Sequence, residues 1–499
     1  MSSLMKVLSL MKLLLVTITS CTALPNIIWI MADDLGWGEP GSFPAGSIHG
    51  RIDTPNLDNL AAQGMRFTNA YAGYTVCAPS RTTLFTGRHS GKFKQYDLPG
   101  TSLSPGTAVT TAEILKKAGY TTALIGKSAP LTQPLQQGFD YFFGQIDQVK
   151  CHNMYPKVVD MGNLTGNVNL SLNYKQRSRD LCMASPLSYN YTTDMFQTRA
   201  LRWIENAATN TETPFFLYLS FTVPHAGGWG DTNKESGAPV PKDGRYANQT
   251  TWPDVEKDHA GVITYLDGYV GQVMSAMKQL MIEDNTVLFF ASDNGAHLEG
   301  GHSYTFFNST GGLKGHKRSM YEGGMRSPSI VQWTGTIESG SVSDYPWSFW
   351  DFMPTVAEIA GAEDEVPKDI DGHSILPTLK GDGTQPPPTY LYFTGNSGWG
   401  NKRKLIKKDM YWGMHDDSNT RNAVTQQQQT TAYSFRVGNW KAVVNDCIDT
   451  PRLRDTMQLY DLSIDPFELN DLGKINKGQV KRMKTFIINK NVSCACYQC

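Results

Sequence analysis

Residues 26–34 read NIIWIMADD, an unbroken apolar run that stops on two aspartates. A strand without polar alternation is buried on both faces, the pattern of a parallel sheet covered by helices. The same layout recurs along the chain. Residues 121–125 run into Gly126 and Lys127, residues 214–223 into Pro224 and His225, and residues 286–291 into Ser292, Asp293 and Asn294. Helical patterns separate these strands. Thr54 and Pro55 open one, with Leu57, Leu60 and Ala61 on a single face and Gly64 as its C′ glycine. Residues 111–118 form another, closed by Gly119, and Val262, Leu266, Val270, Val273 and Met277 mark a long core-facing stripe. Apolar strands alternating with amphipathic helices predict an α/β fold, a mostly parallel sheet flanked by helices.

Beyond Ile375 the texture changes. Pro386-Pro387-Pro388 follows a Gly381-Asp382-Gly383 turn, and shorter strand-like segments come after it, at 390–393, 433–437 and 440–444. They predict a smaller antiparallel C-terminal subdomain. The expected organisation is a signal segment at 1–23, a catalytic domain at 24–385, and the C-terminal subdomain with a Cys-rich tail at 386–499. The 499 residues are 40% hydrophobic, with 45 Lys and Arg against 46 Asp and Glu. That balance excludes a disordered chain and the global positive field that non-specific nucleic-acid binding uses.

The N-terminal MSSLMKVLSLMKLLLVTITSCTA places Lys6 and Lys12 ahead of a short apolar run, with small residues at Cys21 and Ala23, the layout of a secretory signal peptide. The run is well short of the ~20 residues of a membrane span, and no later segment reaches that length. Of the eight cysteines, loss of Cys21 leaves seven: Cys77, Cys151, Cys182, Cys447, Cys494, Cys496 and Cys499. An odd set in a secreted chain asks for one cysteine with a special role. If that is Cys77, the others can form three disulfides of open connectivity. Sequons at Asn163, Asn169, Asn190, Asn248, Asn308 and Asn491 suit a glycosylated secreted protein.

In an open parallel sheet the carboxyl ends of the strands border the ligand crevice, so Asp33, Asp34, Lys127, His225, Asp293 and Asn294 are expected to converge. The aspartates and Asn294 are hard oxygen ligands suited to Ca2+ or Mg2+. Lys127 and His225 add a fixed positive charge and a proton donor. An anion held between a metal and Lys, Arg and His points to transfer of a sulfuryl or phosphoryl group. The sharpest motif is VCAPSRTTLFTGR at 76–88, which sets Cys77 at a helix N-terminus, where backbone amides favour an anion. As plain chemistry Cys77 is either a low-pKa thiolate or a half-cystine.

The Cys77-Ala78-Pro79-Ser80-Arg81 core closely resembles that of the formylglycine-dependent (type I) sulfatases, whose cysteine is oxidised to an aldehyde during secretion. The likeness covers nearly the whole mature chain, through residues 26–34, 76–88, 119–127, 138–144, 223–225, 292–295 and 317–328. It is nearest the branch of arylsulfatase A and N-acetylgalactosamine-6-sulfatase. The resemblance implies an alkaline-phosphatase-like fold and a secreted or lysosomal sulfuric ester hydrolase acting on a sulfated carbohydrate or an aryl sulfate. It also implies a formylglycine-generating enzyme as maturation partner, and one Ca2+ held by Asp33, Asp34, Asp293, Asn294 and the modified Cys77. In that scheme one hydroxyl of the hydrated aldehyde, deprotonated with help from Asp293, attacks sulfur. His225 and Lys317 serve the leaving oxygen, Arg81 steadies the hydrate, Lys127 bridges it to the sulfate, and a covalent sulfate half-ester breaks down by elimination.

Spacing to Glu322 selects Lys317 over Lys314 for that role. One departure stands out: Gly126-Lys127 continues Ser128-Ala129-Pro130, where the family commonly has Gly-Lys-Trp-His. The histidine assigned to elimination is missing, and His152 is the candidate substitute. Specificity is expected in the glycine-rich stretch 295–315 and around 227–244, with His297, His302 and His316 either lining the substrate side or solvated. The aromatic and basic run from Trp399 through Lys402, Arg403 and Lys404 to Lys408 is a second candidate glycan contact or a solvated loop. Two other functions fit the same residues: a phosphodiesterase or phosphonate monoester hydrolase of the same superfamily, and an inactive pseudo-sulfatase that binds sulfated glycans.

Overall fold

A computed structural model describes residues 23–44, 47, 49–92, 102–148, 150–156, 158–163, 166–171, 191–227, 237–241, 244–396, 431–447 and 457–489. The expected signal segment (to residue 22), the 399–408 run, Cys182 and the cysteine tail lie outside the described residues.

The apolar run at the N-terminus is strand β1 (Asn26–Asp33), buried at every residue. It is followed by β2 (Met65–Phe67), β3 (Ala70–Tyr71), β4 (Thr121–Lys127), β5 (Tyr141–Gln145), β6 (Val158–Asn163) and β7 (Gly166–Ser171). Then come β8 (Phe215–Pro224), β9 (Thr286–Ser292), β10 (Ser329–Gln332) and β11 (Ser341–Ser343). They form a ten-stranded sheet in the order β11-β2-β10-β9-β1-β8-β4-β5-β6-β7. From β9 to β5 every neighbouring pair is parallel. β10 and the β6-β7 pair add antiparallel margins. β1 is central because both of its faces are covered. Ile28 and Ile30 pack into one core with Leu217, Leu219, Val262 and Leu266. Ile27, Trp29 and Met31 pack into the other with Leu84, Phe85, Phe352 and Val356.

Helices α1 (Pro55–Gln63), α2 (Cys77–Thr86), α3 (Thr111–Lys117), α4 (Thr192–Ala208), α5 (Asp254–Gln279) and α6 (Glu322–Met325) supply or border those layers, with α7 (Phe352–Ile359) on the α2 side. α3 starts at a reciprocal cap in which Thr110 accepts from the Glu113 amide and Glu113 from the Thr110 amide. Gly64 departs from the expected C′ glycine. Its backbone is extended, at φ −127°, and what demands glycine is the close approach of β10, since a Cβ would lie 2.3 Å from the Val331 carbonyl oxygen.

A separate antiparallel sheet, β13 (Leu391–Asn396), β14 (Thr431–Val437), β15 (Trp440–Cys447) and β16 (Gln458–Asp461), lies in the C-terminal part; the short β12 (Trp347–Ser348) pairs only with β3. One face of the sheet packs under the C-terminal helix (Lys477–Asn489) through Tyr433, Phe435, Met483 and Ile487. Its other face shares a cluster with Tyr71, Met320, Met325 and Trp350. A buried ionic knot joins the two parts. Glu322 takes Lys441 Nζ at 2.7 Å and the Tyr71 hydroxyl at 2.8 Å, and pairs with Arg326. Lys441 also meets Glu468 at 2.8 Å. Burial opposes ionisation of Glu322, but Lys441 and Arg326 outweigh it and hold its carboxyl well below the usual range.

Among the described residues Cys77 and Cys151 are free thiols, so Cys151 is not the half-cystine expected from counting. No helix of the described residues is long and apolar enough to cross a membrane.

Removing one member of a buried ionic knot strands the others. Glu322→Ala is therefore expected to lose about 3–5 kcal/mol in urea unfolding, whereas Glu365→Ala, in an exposed pair with Lys117, loses less than about 1 kcal/mol. A carboxyl with a depressed folded-state pKa stabilises above its unfolded value and ceases to as pH falls through the folded one. Glu322→Gln should therefore flatten the stability curve only below about pH 4.

Candidate active site

Strand ends and one helix start deliver the chemistry. At the end of β1, Asp34 turns through a left-handed backbone, φ 72°, a conformation that a non-glycine residue holds only when its surroundings enforce it. Its amide donates to Asp293 Oδ1 at 3.1 Å, and Asn294 Nδ2 donates to Asp34 Oδ1 at 2.7 Å, which joins the ends of β1 and β9. Cys77 is the first residue of α2, and its sulfur lies within 4.8 Å of carboxylate oxygens of Asp33 and Asp293. Arg81, one turn later and fully buried, grips Asp293 Oδ2 through Nε and Nη2 at 2.8 and 2.7 Å, and donates to Ser220 Oγ. Lys127, at the end of β4, sits 2.7 Å from Asp33 Oδ2.

Lys317 reaches the same place from the loop before α6. Its Nζ is 2.7 Å from Asp34 Oδ2 and 3.0 Å from Glu299 Oε2. His225, just beyond β8, bonds the Ala226 carbonyl through Nδ1 at 2.5 Å, which turns Nε2 toward Asp34 and Glu299 at 3.4 and 3.3 Å. The residues selected from sequence thus meet in one buried cluster. Lys314 stays outside it, stacked over Tyr321 and Tyr460.

Three participants had no sequence signal of their own. Glu299 links Lys317, His225 and Arg318, yet it is one acid in a glycine-rich loop. Gln148 Nε2 donates to Cys77 Sγ at 3.2 Å, and Ser220 lies inside a buried strand. His297 and His302 are buried rather than solvated. His302 Nδ1 bonds Glu256 Oε2 at 2.7 Å and its ring stacks on His259, which bonds Glu39 at 2.6 Å. That network fastens the loop carrying Glu299 to α5.

The family model Sulfatase matches residues 25–362. The chain belongs to the sulfatase family. N-acetylgalactosamine-6-sulfatase of Mus musculus is 30% identical over 418 residues, covering 75% of this chain and 69% of the relative. Steryl-sulfatase of Homo sapiens is 28% identical over 447 residues, covering 75% and 72%. Among solved structures, Ps i-CgsB in complex with k-i-k-neocarrahexaose superposes with a TM-score of 0.69 at 23% identity, over 95% of this chain and 94% of that one, which shows the shared fold. Sulfatases are sulfuric ester hydrolases, and this sulfatase is an enzyme of that class.

The electrostatics of the cluster suit the family's use of Ca2+. Burial alone would raise the Asp33 carboxyl, but Lys127 and Arg81 outweigh it and hold Asp33 well below the usual carboxylate range. Burial and then the Asp33 charge push Asp293 up to about 7. Asp33 Oδ1 and Asn294 Oδ1 are buried with no hydrogen-bond partner among the described residues, a costly state that a hard divalent cation relieves. The oxygen-only set of Asp33, Asp34, Asp293 and Asn294 therefore fits Ca2+. Burial raises the Cys77 thiol, which opposes the reading of a preformed thiolate.

A ligand that binds only the folded chain stabilises it by mass action, by about 2.7 kcal/mol at a hundredfold excess over Kd. Dialysis against EGTA should lower the thermal unfolding midpoint and added Ca2+ should restore it. Asp33→Asn should shrink the Ca2+-dependent increment, which calorimetric titration checks directly.

Proposed function

We propose that this sulfatase removes sulfate from a carbohydrate ester and that Cys77 works as formylglycine. The observation that carries the reading is the setting of Cys77: at a helix N-terminus, beside two buried carboxylates, with Lys127 and Lys317 close enough to act on its sulfur electrostatically. A thiol that burial keeps protonated is a weak nucleophile there, so an oxidised side chain is the form that uses the surrounding charges.

Asp33, Asp34, Asp293 and Asn294, with residue 77, would hold Ca2+. When bound, the ion withdraws charge from a sulfate oxygen, and the hydrated aldehyde supplies the attacking oxygen. The remaining work belongs to the chain's own side chains. Lys127 has three donors, of which Asp33 and His152 take two; Lys317 commits two, to Asp34 and Glu299. The donors left over can meet anionic sulfate oxygens. Asp293, whose carboxylate lies beside residue 77, would accept the proton of the nucleophile. Arg81 aligns Asp293. His225 Nε2, its ring oriented by the Ala226 carbonyl, gives its proton to the leaving alcohol.

A carbohydrate substrate is supported by the name of the N-acetylgalactosamine-6-sulfatase relative, and by a glycine-rich loop that places Glu299, paired with Arg318, beside the site. The reading includes a signal segment at 1–23, glycosylation, an extracellular or lysosomal destination and maturation by a formylglycine-generating enzyme. It also takes 24–385 as the catalytic unit, with 386–499 as the C-terminal subdomain.

Protein secreted from a eukaryotic cell tests this by the mass of the peptide containing residue 77, together with turnover of an aryl sulfate. An aldehyde is expected at residue 77, and Cys77→Ala should lower kcat/KM by at least about a thousandfold. An unmodified thiol in an active enzyme, near-normal activity of Cys77→Ala, or preferential turnover of aryl phosphate diesters would overturn it.

A further inference from the structure

No imidazole follows Lys127 along the chain, where Ser128, Ala129 and Pro130 come next. An imidazole nevertheless lies beside the Lys127 ammonium. His152 ends a short 3-10 turn (Lys150–His152), and its Nε2 is 3.2 Å from Lys127 Nζ. Its ring also stacks on that of His225, with centroids 3.7 Å apart and planes 4° from parallel. One side chain therefore touches both Lys127 and His225, which flank the site on this side.

Elementary chemistry sets the state of this ring. An ammonium only donates, so His152 Nε2 accepts and the proton of the neutral ring sits on Nδ1. Burial, then His225 and Lys127, hold its pKa well below the ordinary histidine value. A neutral ring tolerates charge on the stacked His225, where a second imidazolium would repel it. Two of the three Lys127 donors are now committed, to Asp33 and His152, so the direction of the third is determined.

The turn is fastened at several points. Cys151 Sγ donates to the Gln148 carbonyl at 2.9 Å, and the Asn153 amide to that of Lys150 at 3.0 Å. The His152 carbonyl lies against Gly227, where any Cβ would sit 2.4 Å from that oxygen, so the segment after His225 and the turn carrying His152 close on each other.

We propose that His152 is a positioning residue of the reaction: by accepting from Lys127 and stacking on His225 it aims the ammonium at the anionic substrate and holds the imidazole that serves the leaving oxygen. The proposal rests on the sulfate-ester reading of the site. Groups that orient catalytic or metal-binding residues typically contribute about 10–100-fold.

Three variants separate the two contacts. His152→Ala removes both, His152→Gln keeps an acceptor at the reach of Nε2, and His152→Phe keeps the stacked ring without an acceptor. With an aryl sulfate, and rates normalised to the aldehyde content of residue 77, His152→Ala should lower kcat about 10–100-fold and leave KM within about threefold. His152→Gln should recover at least about fivefold over His152→Phe, because the bond to Lys127 is the directional one. Thermal midpoints check folding, and if His152→Ala does not fold, the Gln and Phe pair decides. A His152→Ala kcat within about twofold of the parent, or a Gln variant no better than the Phe variant, overturns the positioning role in an active parent. An inactive parent or an active Cys77→Ala in the same assay would instead remove the sulfate-ester reading, and this proposal with it.

Discussion

Charge compensation at the carboxyl ends of β1 and β9 is the constraint on which the rest of this protein depends. Asp33, Asp34 and Asp293 lie fully buried within a few ångströms of one another, and a lone ionised carboxylate in such a place is prohibitively unfavourable. The fold meets this by bringing cations from three directions, Arg81 from α2, Lys127 from β4 and Lys317 from the loop before α6, and by turning His225 Nε2 toward Asp34 from the end of β8. Each cation is itself buried and needs its carboxylate. The cluster is therefore cooperative, and in a sulfatase that same array of fixed positive charge is what a sulfate ester meets.

The scaffold around the cluster is built to keep it from relaxing. Both faces of β1 pack against apolar layers, so the strand that ends in Asp33 and Asp34 cannot shift register without exposing Ile28 or Trp29. The loop that carries Glu299 is tied to α5 through paired histidines and carboxylates. The segment that carries Lys317 runs into Glu322, whose bond to Lys441 anchors it to the C-terminal sheet. That sheet thus supports the site, and among the described residues none of its side chains enters the cluster.

Much of this was legible in the residues, for identifiable reasons. Long apolar strands announce themselves because burial on both faces removes every polar residue from the run, and the first polar residue after each run marks the crevice. That rule located Asp33, Asp34, Lys127, His225, Asp293 and Asn294, and the local motif around Cys77 located Arg81. The short strands β6, β7, β10 and β16 and the C-terminal helix escaped it, since few residues carry each pattern. Glu299, Gln148 and Ser220 escaped because nothing adjacent in sequence distinguishes them, and Cys151 was misjudged because counting cysteines says nothing of where each thiol is buried.

By itself, the order of residue types determined the alternation of strands and helices, the parallel core of the sheet, and the set of groups available at its crevice, because hydrophobic burial and helix caps are read locally. Only the tertiary structure decided which carboxylate pairs with which cation, that Glu299 joins the site, and that His152 lies against the Lys127 ammonium rather than at the surface. Those pairings join residues from 18 to 283 positions apart. Their energies depend on distance and dielectric inside the folded chain, which sequence spacing does not encode.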